Sequence, residues 1–353
     1  MVKRWIAKST GSPFFALCLI VCTSCLSTPR VPDERDWQLY KERFITEDGR
    51  VIDTGNGNIS HSEGQGYGML LAVAYNDRQT FERLWHWTVK HLQIREDRLF
   101  AWRWTPSEHG GQVTDNNNAS DGDLMIAWAL SRAGTHWQEP TYTSAATAIS
   151  QDIRRKLLRQ VGDALVLLPG MVGFEKPDGM IVNLSYWIFP AFADLQTLDP
   201  APEWDRLIGS GLALLTSARF GRWHLPPDWL SLQAPPAPAH EFPPMFGYNA
   251  IRIPLYLIWA KRETSQNLQP YQDFWTSFDG AKFLPPQTNV ENNFVDSHDA
   301  SAGIRAVAQL VATVAAQHRV QPSSFPPLEK EQDYYSASLL LLTKLAAFER
   351  AGS

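Results

Sequence analysis

The feature that most limits the fold is an even succession of segments at helical period, with almost no text for a long strand. From Trp37 to Phe44 apolar residues recur at helical spacing, and between Asp77 and Gln93 the residues Phe81, Leu84, Trp85, Thr88, Val89 and Leu92 form one stripe. Further helices are predicted over Ala145–Gly162, Leu184–Asp194, Glu203–Ser217, Tyr248–Arg262, His298–Ala316 and Asp333–Arg350. Between them lie loops rich in Pro, Gly and aromatics, such as Leu225-Pro226-Pro227-Asp228-Trp229. Strand-like runs are few and short, Leu165–Leu168 being the best. A helix with one apolar stripe must bury it against another element, and here the only partners on offer are other helices. The expectation is an all-α chain closed into a helical toroid, not a layered sheet protein.

The 353 residues are enough for one large domain or two ordinary ones. A net charge of −5 without a Lys/Arg cluster supplies no basic field for nucleic acid. The N-terminus reads as an export signal: Lys3, Arg4 and Lys8 precede an apolar stretch from Phe14 to Cys22, too short to span a bilayer. All three cysteines, Cys18, Cys22 and Cys25, fall there, and Thr23-Ser24-Cys25 resembles a lipoprotein cleavage site. The expected organisation is a signal over residues 1–25, a tether over 26–35 and one catalytic domain over 36–353. Membrane attachment would come only through lipid on Cys25, which makes the location periplasmic or secreted.

Two acidic segments stand out. Glu63 sits where a polar loop becomes the apolar run Met69–Ala74, among Gly64, Gly66 and Gly68. Each glycine costs roughly 1 kcal/mol in a helix, so something approaches this backbone closely, either a substrate or a neighbouring helix. The second segment, Asp115–Asp123, leads into Leu124–Leu130. Ser120 or Asp121 would suffice to cap that helix, but capping explains one acid, not two. The intervening Phe100-Ala101-Trp102-Arg103-Trp104 alternates, so its two indoles share a face if it is extended, as a sugar platform or as core. The run Asp53–Asn58 is a poor calcium loop because Gly55 and Gly57 stand where ligands are required; no metal or cofactor is expected.

Paired acids at helix starts among aromatic rings suit glycosidic hydrolysis, in which one carboxyl protonates the leaving oxygen and a second group serves water or the developing cation. Ser62-Glu63-Gly64-Gln65-Gly66-Tyr67-Gly68-Met69 and Ala119-Ser120-Asp121-Gly122-Asp123-Leu124-Met125 resemble the two signatures of glycoside hydrolase family 8. Asn183–Tyr186, Leu225–Trp229 and Tyr248–Tyr256 extend the resemblance toward the periplasmic endoglucanases encoded beside bacterial cellulose synthase. The resemblance implies an (α/α)6 barrel with an open cleft for a β-1,4-glucan, inverting hydrolysis, a monomer and possible docking on a synthase complex. By motif, Glu63 is the general acid, Asp121 holds the sugar ring at the cleavage subsite, and Tyr67, Trp102, Trp104, Asp123, Tyr186 and Arg252 bind substrate.

One position departs from the family pattern. Its cellulases usually carry an Asp base in Tyr-Asp-Ala-x-Arg, where this chain has Asn249. An amide orients water but cannot take its proton. The alternatives are a base elsewhere, with Asp296 and Asp299 as possibilities, a slow enzyme using Asp121 or a water chain, or an alteration that traps substrate. Three readings of function follow: an endo-β-1,4-glucanase, a catalytically weak glucan-binding accessory protein, or a hydrolase of another β-1,4-glycan such as xylan or chitosan.

Overall fold

The helices of this chain differ in how completely they shun water, and that difference sorts them into two rings. The computed structural model describes residue 1 and residues 33–352 apart from 109 and 331. The expected signal, the expected lipid site at Cys25 and most of the expected tether lie outside the described residues. Residues 31–353 form one compact unit. The described helices are α1 (Glu34–Phe44), α2 (Ser62–Ala74), α3 (Arg78–Leu92), α4 (Ser120–His136), α5 (Pro140–Leu157), α6 (Phe189–Leu198), α7 (Pro202–Ser217), α8 (Ile253–Trp259), α9 (Ser265–Thr276), α10 (Ala302–Ala315) and α11 (Tyr334–Gly352). Helices α2, α4, α8 and α11 are buried along nearly their whole length. Helices α3, α5, α7, α9 and α10 bury one stripe and turn the other face to water.

The inner helices touch in sequence, α2 on α4, α4 on α6, α6 on α8, α8 on α11, and α11 back on α2, so the ring closes. This is the expected (α/α)6 barrel. Closure is secured where the ends of the chain meet. Asp36 of α1 and Lys344 of α11 form an ion pair, both almost fully buried, and the Leu328 amide donates to Asp36 Oδ1 at 2.8 Å.

Glycine decides how closely the first two inner helices approach. A Cβ on Gly66 would lie 2.5 Å from Met125 Cβ, and one on Gly122 would lie 2.7 Å from the Glu63 amide nitrogen. Both are closer than real side chains come, so these glycines serve helix contact. Of the two readings of the glycine run, a neighbouring helix is the right one.

Several predicted bounds shift. The Ala145–Gly162 helix ends at Leu157, because residues 158–161 pair with 164–167 as a hairpin. The Leu184–Asp194 segment splits into a 3₁₀ turn and α6, and the helix after Tyr248 begins at Ile253 behind another 3₁₀ turn. Short strands are commoner than the sequence suggests. β1 (Ser60–His61), β2 (Ala101–Thr105) and β3 (Gln112–Asn118) form an antiparallel sheet, and a four-stranded sheet joins residues 175–176, 179–182, 230–231 and 237–238. Such pieces carry too few residues to show a period in the sequence.

Candidate active site

Glu63 and Asp121 lie in the first turns of α2 and α4, the two helices that the glycines bring together. The cap of α2 is the His61 ring, whose Nδ1 accepts the Gly64 amide at 3.0 Å. Helix α4 has Ala119 at its cap and no side-chain cap bond, which corrects the capping role considered for Ser120 and Asp121. Its first amide is satisfied elsewhere, Ser120 N–H donating to the Pro169 carbonyl at 2.8 Å. Asp121 is left to face an open cavity of about 760 Å³.

The centre of the site is Arg252, from the turn before α8. Its Nη1 touches Glu63 Oε1 and stands 3.6 Å from Asp121 Oδ2. The remaining donors reach Tyr67 Oη at 2.8 Å, Ser185 Oγ at 3.1 Å and Asn249 Oδ1 at 2.9 Å. A guanidinium buried to this depth survives because anions and oxygens satisfy its fixed fork of N–H groups. Two acids 58 positions apart thus share one nitrogen.

Burial pushes the Asp121 carboxyl up to about 7, against the Gly122 amide that it accepts at 2.8 Å. Burial likewise raises Asp123 to about 8 and Asp228 to about 6. An unfolded Asp titrates near 3.9, so between about pH 4 and 8 the folded chain holds protons that the unfolded chain has released. Raised acids contribute stability that is fully present at low pH and lost as pH rises. The expected result is a thermal midpoint that falls from pH 5 to pH 8, with Asp121→Asn flattening the curve between pH 4 and 7; circular-dichroism melts at three pH values check it.

The structure brings Glu63, Asp121, Trp102, Tyr186, Asn249 and Arg252 to the cavity wall and leaves three other expected residues behind it. Tyr67 is buried beneath Glu63, donating to Oε1 at 2.9 Å, with Tyr256 Oη 3.2 Å away. It is placed to hold the Glu63 carboxyl and lies behind the cavity wall. Asp123 is fully buried, and its oxygens accept from the Phe100 amide at 2.9 Å and Asn118 Nδ2 at 2.7 Å. It fastens β2 and β3 to α4.

Trp104 is the third correction. The β2–β3 register shifts between Arg103 and Trp104, which breaks the alternation, so the two indoles do not share a face. Trp104 packs edge-on against Trp87 at 5.6 Å and under Arg50, while Trp102 is half-buried in the cavity wall. Trp104→Ala is expected to cost about 3–5 kcal/mol of stability. Trp102→Ala is expected to leave stability near wild type and weaken cellohexaose about tenfold. Urea titration and calorimetry separate the two.

Asp296 and Asp299 do not line the cavity. Asp296 is held by Gln287 at 2.6 Å and His298 at 2.9 Å, and Asp299 by the Leu284 amide and Arg305. Neither is placed to replace Asn249. Residues the sequence reading missed are His61, Asp53, Asn56, Tyr248 and Tyr335, all in the cavity wall. The signal for Asp53 was present, in a loop dense with Asp and Asn that failed as a metal site.

Comparison with known proteins agrees with this geometry. The model of the family "Glycosyl hydrolases family 8" matches residues 10–349. A probable endoglucanase of Novacetimonas hansenii is 40% identical over 89% of this chain and 91% of its own length. The structure of the endo-β-1,4-glucanase CMCax from Acetobacter xylinum superposes with a TM-score of 0.82 at 39% identity, over 90% of this chain and 98% of that one. The endoglucanase Cel10 of Klebsiella pneumoniae gives 0.81 at 41% identity, over 88% and 98%. With a matching model over nearly the whole chain, the protein belongs to glycosyl hydrolase family 8.

Proposed function

We propose that this chain is an endo-β-1,4-glucanase that cleaves internal bonds of a β-1,4-glucan with inversion. The observation that carries the reading is the pair of carboxylates set on one buried guanidinium at the floor of an open, ring-walled cavity. An open groove admits a chain at any point along its length, which suits endo cleavage. The similarity to an endo-β-1,4-glucanase of Acetobacter xylinum supports the same polymer.

In this reading Glu63 is the general acid, with its carboxyl held by Tyr67 and Arg252. Asp121, next to the Tyr186 ring, holds the hydroxyls of the sugar at the cleavage point and stabilises the cation-like transition state. Trp102 and the rings of Tyr186, Tyr248 and Tyr335 supply flat faces along the groove. Asn249 orients the attacking water. Its Oδ1 already accepts from Arg252, so the amide positions water without taking its proton.

That last point favours a second reading, a glucan-binding accessory protein with weak catalysis. Viscosity loss of carboxymethylcellulose, with calorimetry of bound oligosaccharide, separates the two. Asn249→Asp is expected to raise kcat on cellohexaose by about 10-fold or more, since a general base is worth about 10²–10⁴-fold. No gain would place the base among the other cavity carboxylates. Product anomers read by NMR test inversion.

Cleavage of nascent cellulose beside a synthase complex by an exported monomer extends the reading. It is supported by the cationic and apolar N-terminal text and by Cys25 as a lipid acceptor. No helix among the described residues is long and apolar enough to cross a membrane. Radiolabelled palmitate incorporation, lost in Cys25→Ser, tests the anchor.

A further inference from the structure

One wall of the cavity holds a second proton-bearing pair, which the hydrolysis scheme leaves idle. Asp53 Oδ1 accepts the Gly55 amide at 3.1 Å, which fixes the carboxylate and turns Oδ2 toward His61 Nε2, 3.4 Å away. On the other side of the ring Nδ1 accepts the Gly64 amide and stands 3.9 Å from Glu63 Oε2. A ring whose Nδ1 accepts and whose Nε2 faces a carboxylate is the Nε2–H tautomer. The Tyr334 ring meets it edge-on, with centroids 5.6 Å apart, and keeps it from swinging away. Both Asp53 and His61 line the cavity.

We propose that Asp53 and His61 are positioning residues that keep the proton of Glu63 in place between substrates: the neutral ring turns its electron-rich Nδ1 edge toward Oε2, the Asp53 carboxylate stands behind it, and both disfavour a negative charge on Glu63. This rests on Glu63 being the general acid. The need for such a pair comes from Arg252, which touches Oε1 and favours loss of the proton. The electron-rich Nδ1 edge near Oε2, with the Asp53 carboxylate beyond it, opposes that loss. The charged or titratable groups around the ring are Asp53 from its loop, Glu63 from its own helix, Asp121 from α4, Arg252 from the turn before α8, and Tyr334 from α11. Three carboxylates against one cation favour an additional proton in this corner.

The proton balance is simple. In the resting enzyme the proton is on the Glu63 carboxyl, while the Nδ1 lone pair stays with the Gly64 amide. As the glycosidic bond breaks, Glu63 gives this proton to the departing oxygen, and hydroxide from water joins the anomeric carbon. Glu63 is then one proton short, and the water's released proton, returned through solvent, restores it.

The experiment compares two substrates that differ in their need for the acid. Cellohexaose leaves as a poor alkoxide, whereas 2,4-dinitrophenyl β-cellotrioside leaves as a stable phenolate without protonation. His61→Gln retains an acceptor for the Gly64 amide, and Asp53→Asn retains one for Gly55, so both are expected to fold. On cellohexaose, kcat/KM of both variants is expected to fall about 10-fold or more at alkaline pH, moving the alkaline limb to lower pH with KM unchanged. On the dinitrophenyl substrate their profiles are expected to match wild type. Equal losses on both substrates, or an unmoved alkaline limb, would overturn the proposal. Glu63→Gln is the control. If it loses both substrates alike, the acid assignment itself fails; if it spares the dinitrophenyl substrate while the His61 variant does not, only the present proposal fails.

Discussion

Glu63→Gln is expected to lower kcat on cellohexaose by about 10²–10⁴-fold while leaving its affinity within about twofold of wild type. The reasoning is local. The amide that replaces the carboxyl presents the same Oε1 to Tyr67 and Arg252, so the floor of the cavity keeps its shape. What it lacks is a proton that can be given to the leaving oxygen. Rings and polar groups elsewhere in the groove bind sugar without that proton, hence binding and chemistry separate. Initial rates on cellohexaose and isothermal calorimetry on the same preparation check both halves. Retained activity would remove Glu63 from the acid role, and lost affinity would show that the cavity had rearranged.

The second large effect concerns the closure of the barrel. Asp36→Ala is expected to destabilise the protein by about 3–5 kcal/mol, because Lys344 is then an unpaired charge in an apolar interior. Lys344→Ala should cost a similar amount for the mirror reason. The double replacement Asp36→Leu with Lys344→Met is expected to recover most of the loss, since a buried pair is worth little against apolar groups of like volume. It would still fall short by about 1–3 kcal/mol, because the Leu328 amide loses its acceptor at Asp36 Oδ1. Urea midpoints of the four proteins make the cycle. If the double variant is no more stable than the singles, the cost lies in packing and not in charge.

The order of most helices and the two acidic segments were legible because each is a local property, whereas α9, its text broken by Pro270, was missed. Apolar stripes with a period near 3.6 mark what must be buried, and Glu63 and Asp121 stand in runs long enough to be informative alone. The errors have a common origin. Trp102 and Trp104 were read as facing one way because a strand alternates, and a register shift removed the alternation. Tyr67 and Asp123 were read as cleft residues because they neighbour Glu63 and Asp121 in sequence. Tyr67, four along the helix, shares the face of Glu63 but lies a turn deeper and is buried beneath it, whereas Asp123, two along from Asp121, points to the other side of its helix into the interior. Asp296 and Asp299 looked available because nothing local revealed the partners that hold them. His61 and Asp53 were passed over because a lone His and a loop Asp carry no signature until they are seen side by side.

The sequence by itself determined that this chain closes into a ring of helices and that one glutamate and one aspartate stand at the starts of two of them, because periodicity and turn chemistry act over a few residues. Tertiary structure alone decided that both acids meet on the Arg252 guanidinium, that Asn249 is engaged by the same group, and that only some of the expected rings face the cavity. Those outcomes depend on how closely α2 and α4 approach, a distance set by the missing side chains of Gly66 and Gly122 at a contact between segments far apart along the chain.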